Sequence, residues 1–286
     1  MAAVSTPASA PNKRPIAVFD SGVGGLTVLQ ELLVELPHED FIYLGDTARF
    51  PYGERSAGEL ESFAMEIAEL LLVRRAKLLV VACNAASAAA LGALRERMLS
   101  TTLGVHVTGV IEPESRLAAG ASENRRIGLL ATTATVRSGA YARALAQHAP
   151  DAQLISVACP DLAPIIQQGF PLDRRVVDTV RGYCAPLRDA GVDTVILGCT
   201  HYPLIAPMLQ RMLGPGVQMI TSGRSLAVSV ARALEEAGLR ASRSGEGDYR
   251  FLCTGDAEAF RELGSHFLQM PIEHVEHVAF PLAEAA

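Results

Sequence analysis

Short apolar, β-branched runs alternate along this 286-residue chain with longer stretches whose apolar residues recur at helical spacing. The runs predict strands at Ile16–Asp20, Phe41–Gly45, Leu78–Ala82, Val107–Ile111, Ile127–Ala131, Leu154–Ala158, Thr194–Leu197, Val217–Ile220 and Arg250–Cys253. Amphipathic stretches predict helices over Glu59–Val73, Ser87–Met98, Gly139–Gln147, Leu172–Leu187 and Leu226–Ala237. The strand candidates show no apolar–polar alternation, as expected of parallel strands covered on both faces. Strands spaced by helices predict an α/β fold of doubly wound parallel sheets.

Two sequence positions repeat one local setting. Cys83 follows Leu78-Leu79-Val80-Val81-Ala82 and precedes Asn84; Cys199 follows Val195-Ile196-Leu197-Gly198 and precedes Thr200. Each thiol falls just past the carboxyl end of a strand, where open α/β sheets bind ligands. The repetition predicts two similar domains facing each other across one cleft. Residues 14–104, with Cys83, form the first. Residues 105–220, with Cys199, form the second. Residues 221–270 are too few to bury a core alone and are expected to return to the first domain. Residues 1–13, rich in Ala, Ser, Thr and Pro, read as a disordered tail without the apolar centre of a secretion signal. Residues 271–286 read as a C-terminal extension, and Ser242–Asp248 as an exposed loop.

Composition narrows the function. The chain is 49% hydrophobic, so a substantial core is expected. A formal net charge of −6 argues against nucleic acid or a membrane surface as partner. No apolar run has the length of a membrane span. Five scattered cysteines without a C-x-x-C fit reduced thiols of a cytoplasmic protein rather than a disulfide framework. The seven histidines form no H-E-x-x-H, the spacing of His274 and His277 is poor evidence, and no metal is assigned.

Buried cysteines are ordinarily small hydrophobes, the reading given to Cys159, Cys184 and Cys253. Cys83 and Cys199 differ because each precedes an expected helix start, whose free N–H groups favour a thiolate. His201 stands where it could support ionisation of Cys199 or relay its proton. Asp20-Ser21-Gly22-Val23-Gly24-Gly25 closes the first strand; it is an incomplete dinucleotide fingerprint, with Thr27 in place of the third glycine. Asp20 and Ser21 either orient a small polar ligand or cap a helix. Pro51-Tyr52-Gly53 reads, unaided, as an ordinary turn.

Two thiols on opposite faces of a carbon acid can invert it. One sulfur, as thiolate, removes the hydrogen, and the other, as thiol, returns one to the far face. Free cysteine titrates near 8.5, and helix termini lower it, so one thiol and one thiolate near neutral pH are expected. Pyridoxal-dependent racemases need a Schiff-base lysine. Lysine occurs here only at 13, in the tail, and at 77, at the foot of a strand. A reaction without a cofactor is therefore expected, with Asn84, Thr200 and nearby helix N–H groups meeting the charge on the carboxylate.

The ordered set Asp20-Ser21-Gly22-Val23-Gly24-Gly25-Leu26-Thr27, Tyr43-Leu44-Gly45-Asp46-Thr47-Ala48-Arg49, Pro51-Tyr52-Gly53, Ala82-Cys83-Asn84 and Leu197-Gly198-Cys199-Thr200-His201-Tyr202-Pro203 resembles the glutamate racemases of the aspartate/glutamate racemase family. Gly109-Val110-Ile111-Glu112-Pro113, Ala158-Cys159-Pro160 and Thr254-Gly255-Asp256 extend the likeness to about Phe260. The resemblance implies two α/β domains related by a pseudo-two-fold axis. It implies a cytoplasmic, pyridoxal-independent enzyme that interconverts L- and D-glutamate and supplies D-glutamate for peptidoglycan synthesis, and a homodimer as one of the family's assembly states. It implies that Cys83 deprotonates the D-enantiomer and Cys199 the L-enantiomer, tuned by Asp20 and His201. Substrate contacts would fall on Asp20, Ser21, Tyr52, Gly53, Asn84, Ala85, Thr132, Thr135, Thr200 and His201.

Three positions depart from the family pattern. Ala85 stands where threonine or serine is usual, Gln167 where glutamate is common, and Thr221 where many members carry aspartate. The nearest alternative activity is racemisation of aspartate or another small acidic amino acid. A hydrolase using Cys199 and His201 would leave the matched Cys83 without a task, and a noncatalytic binding relative is the remaining alternative.

Overall fold

The structure is a computed structural model and describes residues 11–100, 104–170 and 173–280. Along the chain run β1 (Ile16–Asp20), α1 (Leu26–Glu35), β2 (Phe41–Gly45), α2 (Ala57–Val73), β3 (Leu78–Val81), α3 (Asn84–Ser100) and β4 (His106–Gly109). There follow α4 (Ile111–Ala121), β5 (Arg126–Ala131), α5 (Thr133–Ser138), α6 (Ala140–His148), β6 (Gln153–Ala158), α7 (Leu162–Gln167), α8 (Arg174–Asp189), β7 (Thr194–Gly198), α9 (Ala206–Leu213) and β8 (Gln218–Ile220). The chain closes with α10 (Gly223–Glu236), β9 (Tyr249–Cys253), α11 (Ala257–Leu268) and β10 (Val275–His277).

Among the described residues the strands form two all-parallel sheets, ordered β10-β9-β2-β1-β3-β4 and β6-β5-β7-β8. The last four strands of the first sheet repeat the topology of the second: the second strand of the unit, then the first, third and fourth. Two α/β domains of equivalent winding result. The strand order reverses direction at β1 and β3 in one sheet and at β5 and β7 in the other, the switch points where such sheets hold ligands. Cys83 and Cys199 follow the equivalent strands β3 and β7.

The apolar runs are explained by double coverage. Ile16 and Val18 of β1 pack in one cluster with Leu26, Leu29, Val230 and Phe260, while Ala17 and Phe19 pack in another with Ile67, Leu71 and Leu94. Every residue of β1 is buried, and all but its last, Asp20, are apolar. The first of these clusters continues through Ile127, Leu130 and Ile196 of the second sheet, so the domains share an unbroken apolar core. Local signals fix the helix starts that frame the site. Ser56 and Glu59 form a reciprocal capping box on α2, and Thr132 caps α5.

Several boundaries differ from the sequence reading. Residues 105–109, expected in the second domain, give β4, whose pairing of Leu78 with His106 through Val81 with Gly109 extends the first sheet. The strand expected at Val107–Ile111 stops at Gly109 because Ile111 opens α4; Pro113 sits in its first turn, where a missing N–H costs no hydrogen bond. The chain thus crosses to the second domain after β4 and returns after β8. Of the expected C-terminal extension, residues 281–286 lie outside the described residues, and residues 271–280 belong to the first domain. β10 pairs with β9, and Ile272 and Val278 are buried; a three-residue edge strand is too short to leave an apolar run. Of the expected tail, residues 1–10 lie outside the described residues and Pro11–Lys13 form a 3-10 turn. Leu172, expected to open a helix, also lies outside them; α8 begins after Asp173, whose carboxylate accepts from Val176 N at 2.9 Å.

Candidate active site

One cavity opens between the carboxyl ends of the two sheets. Ser21, Tyr52, Gly53, Cys83, Asn84 and Ala85 line it from the first domain, and Thr132, Cys199, Thr200 and His201 from the second. Two expected contacts stand behind the wall instead. Asp20 is fully buried beneath Ser21, and Thr135 is buried with its hydroxyl 3.0 Å from that of Thr132. Cys159, the third thiol at a strand end, turns inward with its sulfur 3.6 Å from Val157 O. Phe50, Glu54, Pro160, Ala163 and Pro164 also line the cavity, and the sequence reading did not single them out as lining. Neither lysine is there. Lys77 Nζ lies 2.5 Å from Glu39 Oε2 at the opposite end of the first sheet, and Lys13 is exposed.

The local folding around each thiol is similar but not identical. Cys83 is the residue before α3: Ser87 N donates to Cys83 O at 2.8 Å, and the Ala86 and Ser21 N–H groups and the Ser21 hydroxyl face the sulfur and oppose the rise that burial imposes on it. Cys199 is followed by a 3-10 turn, Tyr202–Ile205, rather than by an α-helix, because Pro203 and Pro207 interrupt the chain there. Its sulfur has one such group, the His201 N–H.

Burial outweighs these donors. It pushes the Cys83 thiol up to about 12, with the neighbouring Asp20 charge adding to the rise, and pushes Cys199 well above the ordinary thiol range. The expected lowering by helix termini is therefore overturned: desolvation of a sulfur anion costs more than one helix turn returns. In this state both thiols are protonated at neutral pH.

Each thiol has a titratable neighbour within reach. Ser21 links Cys83 to Asp20, its hydroxyl lying 3.5 Å from Asp20 Oδ2. Asp20 also accepts from Gly22 N at 3.0 Å and from Thr200 Oγ1 at 3.3 Å. Burial lifts its carboxyl to about 6, so it is ionised at neutral pH. On the other side, Cys199 Sγ lies 3.9 Å from His201 Nδ1. Burial lowers His201 to about 4, so its ring is neutral. Gln167 Oε1 lies 2.9 Å from His201 Nε2; with Nε2 carrying the hydrogen, Nδ1 is left as the bare acceptor facing sulfur. The ring is packed against Phe50 and Phe267.

Glycine is required where backbones must close on these groups. A Cβ at Gly24 would lie 2.4 Å from His201 Nδ1, and one at Gly53 would lie 3.0 Å from Thr132 Cβ, across the cleft. Tyr52 is anchored by donating to Asp46 Oδ2, an oxygen that also accepts from Arg49 Nε at 2.6 Å.

The Asn84 amide is engaged within the protein. Its Nδ2 donates to Tyr141 Oη at 2.7 Å and to Glu114 Oε2 at 3.2 Å, so both amide hydrogens are taken. The Thr200 hydroxyl is likewise committed to Asp20. First-turn N–H groups of α3, at Asn84 and Ala85, add donors at the same cavity.

Two equivalent α/β domains, each bringing one thiol to a shared cavity that no lysine lines, suit acid–base isomerisation of a carbon acid. Known proteins agree. The family model described as Asp/Glu/Hydantoin racemase matches residues 27–230. The glutamate racemase of Beutenbergia cavernae is 44% identical over 270 residues, covering 91% of each chain. The crystal structure of glutamate racemase isoform RacE1 from Bacillus anthracis superposes with a TM-score of 0.88 at 37% identity, covering 94% of this chain and 99% of that one. That of Francisella tularensis glutamate racemase in complex with D-glutamate gives 0.86 at 33% identity, covering 94% and 98%. The chain belongs to the Asp/Glu/Hydantoin racemase family and is an amino-acid racemase of the pyridoxal-independent kind. Among the described residues, no helix is long and apolar enough to cross a membrane.

Proposed function

We propose that this protein interconverts L- and D-glutamate through Cys83 and Cys199 and supplies D-glutamate for peptidoglycan synthesis. The observation that carries the reading is the meeting of Cys83 and Cys199, from equivalent strands of two domains, at one cavity. The naming of its relatives supports glutamate as the substrate. Five free, buried thiols suit a cytoplasmic setting. A homodimer is the working assembly in this reading, and sedimentation of the purified enzyme tests it.

The substrate supplies what the closed cavity lacks. An ammonium about 4 Å from a sulfur, at an effective dielectric near 20, is worth about 4 kcal/mol to the thiolate, enough to lower its titration by about three pH units. With the amino acid bound, Cys83 passes its proton through Ser21 to Asp20 and, as thiolate, removes the α-hydrogen of the D-enantiomer. Cys199, still a thiol, protonates the opposite face. In the reverse direction Cys199 gives its proton to His201 Nδ1 and attacks the L-enantiomer. Cys83, Cys199, Asp20 and His201 are the catalytic set, with Asp20 and His201 acting on the reacting sulfurs. The N–H groups at Asn84 and Ala85 hold the substrate carboxylate as charge builds on it.

Circular dichroism of L-glutamate, and separately of L-aspartate, incubated with purified enzyme and no added cofactor tests the substrate. Loss of signal with glutamate is expected; loss with aspartate alone would transfer the reading to that substrate. Cys83→Ser and Cys199→Ser should each abolish inversion in a folded protein, and full turnover in either would end the two-thiol scheme. Solvent deuterium should enter the α-carbon during turnover. An acyl-enzyme on Cys199 detected by mass spectrometry would instead favour a hydrolase.

A further inference from the structure

Behind the Cys83 side of the cavity lies a carboxyl that the proton-transfer scheme does not use. Glu114, in the first turn of α4, is wholly buried, and among the described residues no cation is paired with it. Three neutral groups converge on it from three separate parts of the fold. The Ser222 hydroxyl, at the return crossing before α10, meets Oε1. Tyr141 of α6 donates to Oε2. Asn84 Nδ2, at the start of α3, donates to the same Oε2 at 3.2 Å. Burial lifts the carboxyl to about 8, so it carries a proton at neutral pH; Oε2, which receives hydrogens from both Tyr141 and Asn84, is the acceptor oxygen, and the proton belongs on Oε1, toward the Ser222 hydroxyl.

The direction of these bonds determines how Asn84 faces the substrate. Tyr141 spends its only hydrogen on Glu114, which leaves its oxygen free to accept the second Asn84 hydrogen at 2.7 Å. Both amide hydrogens are thereby held away from the cavity. Asn84 Oδ1 is buried and has no protein partner among the described residues, on a side chain that lines the cavity. An unpaired buried acceptor at a ligand site is costly unless a ligand donor completes it. The amino-acid substrate carries one strong donor, its ammonium.

We propose that Glu114 is a positioning residue for substrate recognition: through Tyr141 it locks the Asn84 amide with Oδ1 toward the cavity, where it accepts a hydrogen bond from the α-ammonium. This rests on the reading of the cavity as an amino-acid racemase site. It assigns selection for the amino group to a residue that never touches substrate.

Glu114→Met tests the lock with little change of shape. The thioether is only a weak acceptor in place of Oε2, and the simplest relief is for Asn84 to turn over and take the Tyr141 hydrogen. KM for glutamate should then rise 10- to 100-fold, equivalent to about 1.4–2.8 kcal/mol, with a much smaller change in kcat. The inhibition constant of glutarate, the same dicarboxylate without the ammonium, should stay within twofold of the wild-type value. Tyr141→Phe, which removes one oxygen and no charge, should shift KM in the same direction and also spare glutarate. An unchanged KM in either folded variant overturns the proposal. So does a parallel weakening of glutarate, which would mean general damage to the cavity. Wild-type enzyme that fails to racemise glutamate would instead fail the proposed function, so the two failures are separable.

Discussion

Replacing Gln167 by glutamate gives a calculable test of how Cys199 is served. In the structure the amide oxygen lies 2.9 Å from His201 Nε2, and burial holds the imidazole near 4. A carboxylate in that place would stabilise the imidazolium by about 4 kcal/mol at a separation near 4 Å and an effective dielectric near 20. Gln167 is only half-buried, so solvent screening removes roughly half of this and leaves about 2 kcal/mol, or about 1.5 pH units. His201 should therefore titrate near 5.5. The same charge stands on the order of 8 Å from the Cys199 sulfur, where it opposes the thiolate by about 1 kcal/mol after equal discounting. Proton transfer from Cys199 to His201 is favoured on balance by about 1 kcal/mol, so kcat/KM should rise two- to fivefold. The two enantiomers are equal in energy, so the rise must be the same in both directions, which gives an internal check. NMR titration of imidazole-labelled enzyme, with the His201 signal assigned by its loss in His201→Asn, measures the first quantity. Initial rates from each enantiomer measure the second. An imidazole still titrating near 4 in Gln167→Glu would refute the reasoning, as would an equal rate increase in Gln167→Met, which carries no charge.

Gly24→Ala would place a methyl 2.4 Å from His201 Nδ1 and 2.5 Å from Thr200 Oγ1, in a ring pocket already closed by Phe50 and Phe267. A destabilisation of about 1–3 kcal/mol in urea melts and a large loss of kcat are expected; a fully active variant would mean that His201 is free to move. Asp20→Asn tests the buried carboxylate by stability. The rise from 3.8 to about 6 makes ionised Asp20 a burden on the folded state that is absent below pH 4 and complete above pH 6, worth about 3 kcal/mol. The variant should thus gain stability relative to wild type as pH rises from 4 to 8, while its turnover through Cys83 collapses; a pH-independent difference would contradict the assignment. Gly53→Ala, pressing on Thr132 from the opposite domain, should raise KM by holding the cleft slightly open.

Much of this was legible in the chain because doubly covered parallel strands carry their own signature. Ile16–Phe19 and Phe41–Gly45 are unbroken apolar runs, and β1 and β2 have the bounds expected of them, with Asp20 closing β1. Cys83 and Cys199 stood out because each ends such a run. β10 did not, since Val275-Glu276-His277 is too short and too polar for a pattern. Glu114 was invisible for a different reason. Nothing in Glu112-Pro113-Glu114 marks either glutamate as buried, and the pocket around Glu114 is made by Ser222 and Tyr141, brought in from far along the chain. The thiol titrations failed similarly. A helix start can be read from spacing, whereas the desolvation that outweighs it depends on how tightly two domains close.

The discontinuous first domain also dictates an order of assembly during synthesis. The inner module from α4 to β8 is one uninterrupted stretch and can collapse as soon as it leaves the ribosome. The outer sheet must wait, because its β2 margin is sealed by β9, which is translated last but for one strand. Until then β2 offers a bare row of amides and carbonyls to any neighbouring chain. Nascent protein stalled near residue 220 should therefore be the aggregation-prone species, and chaperone dependence should fall sharply once Cys253 has emerged.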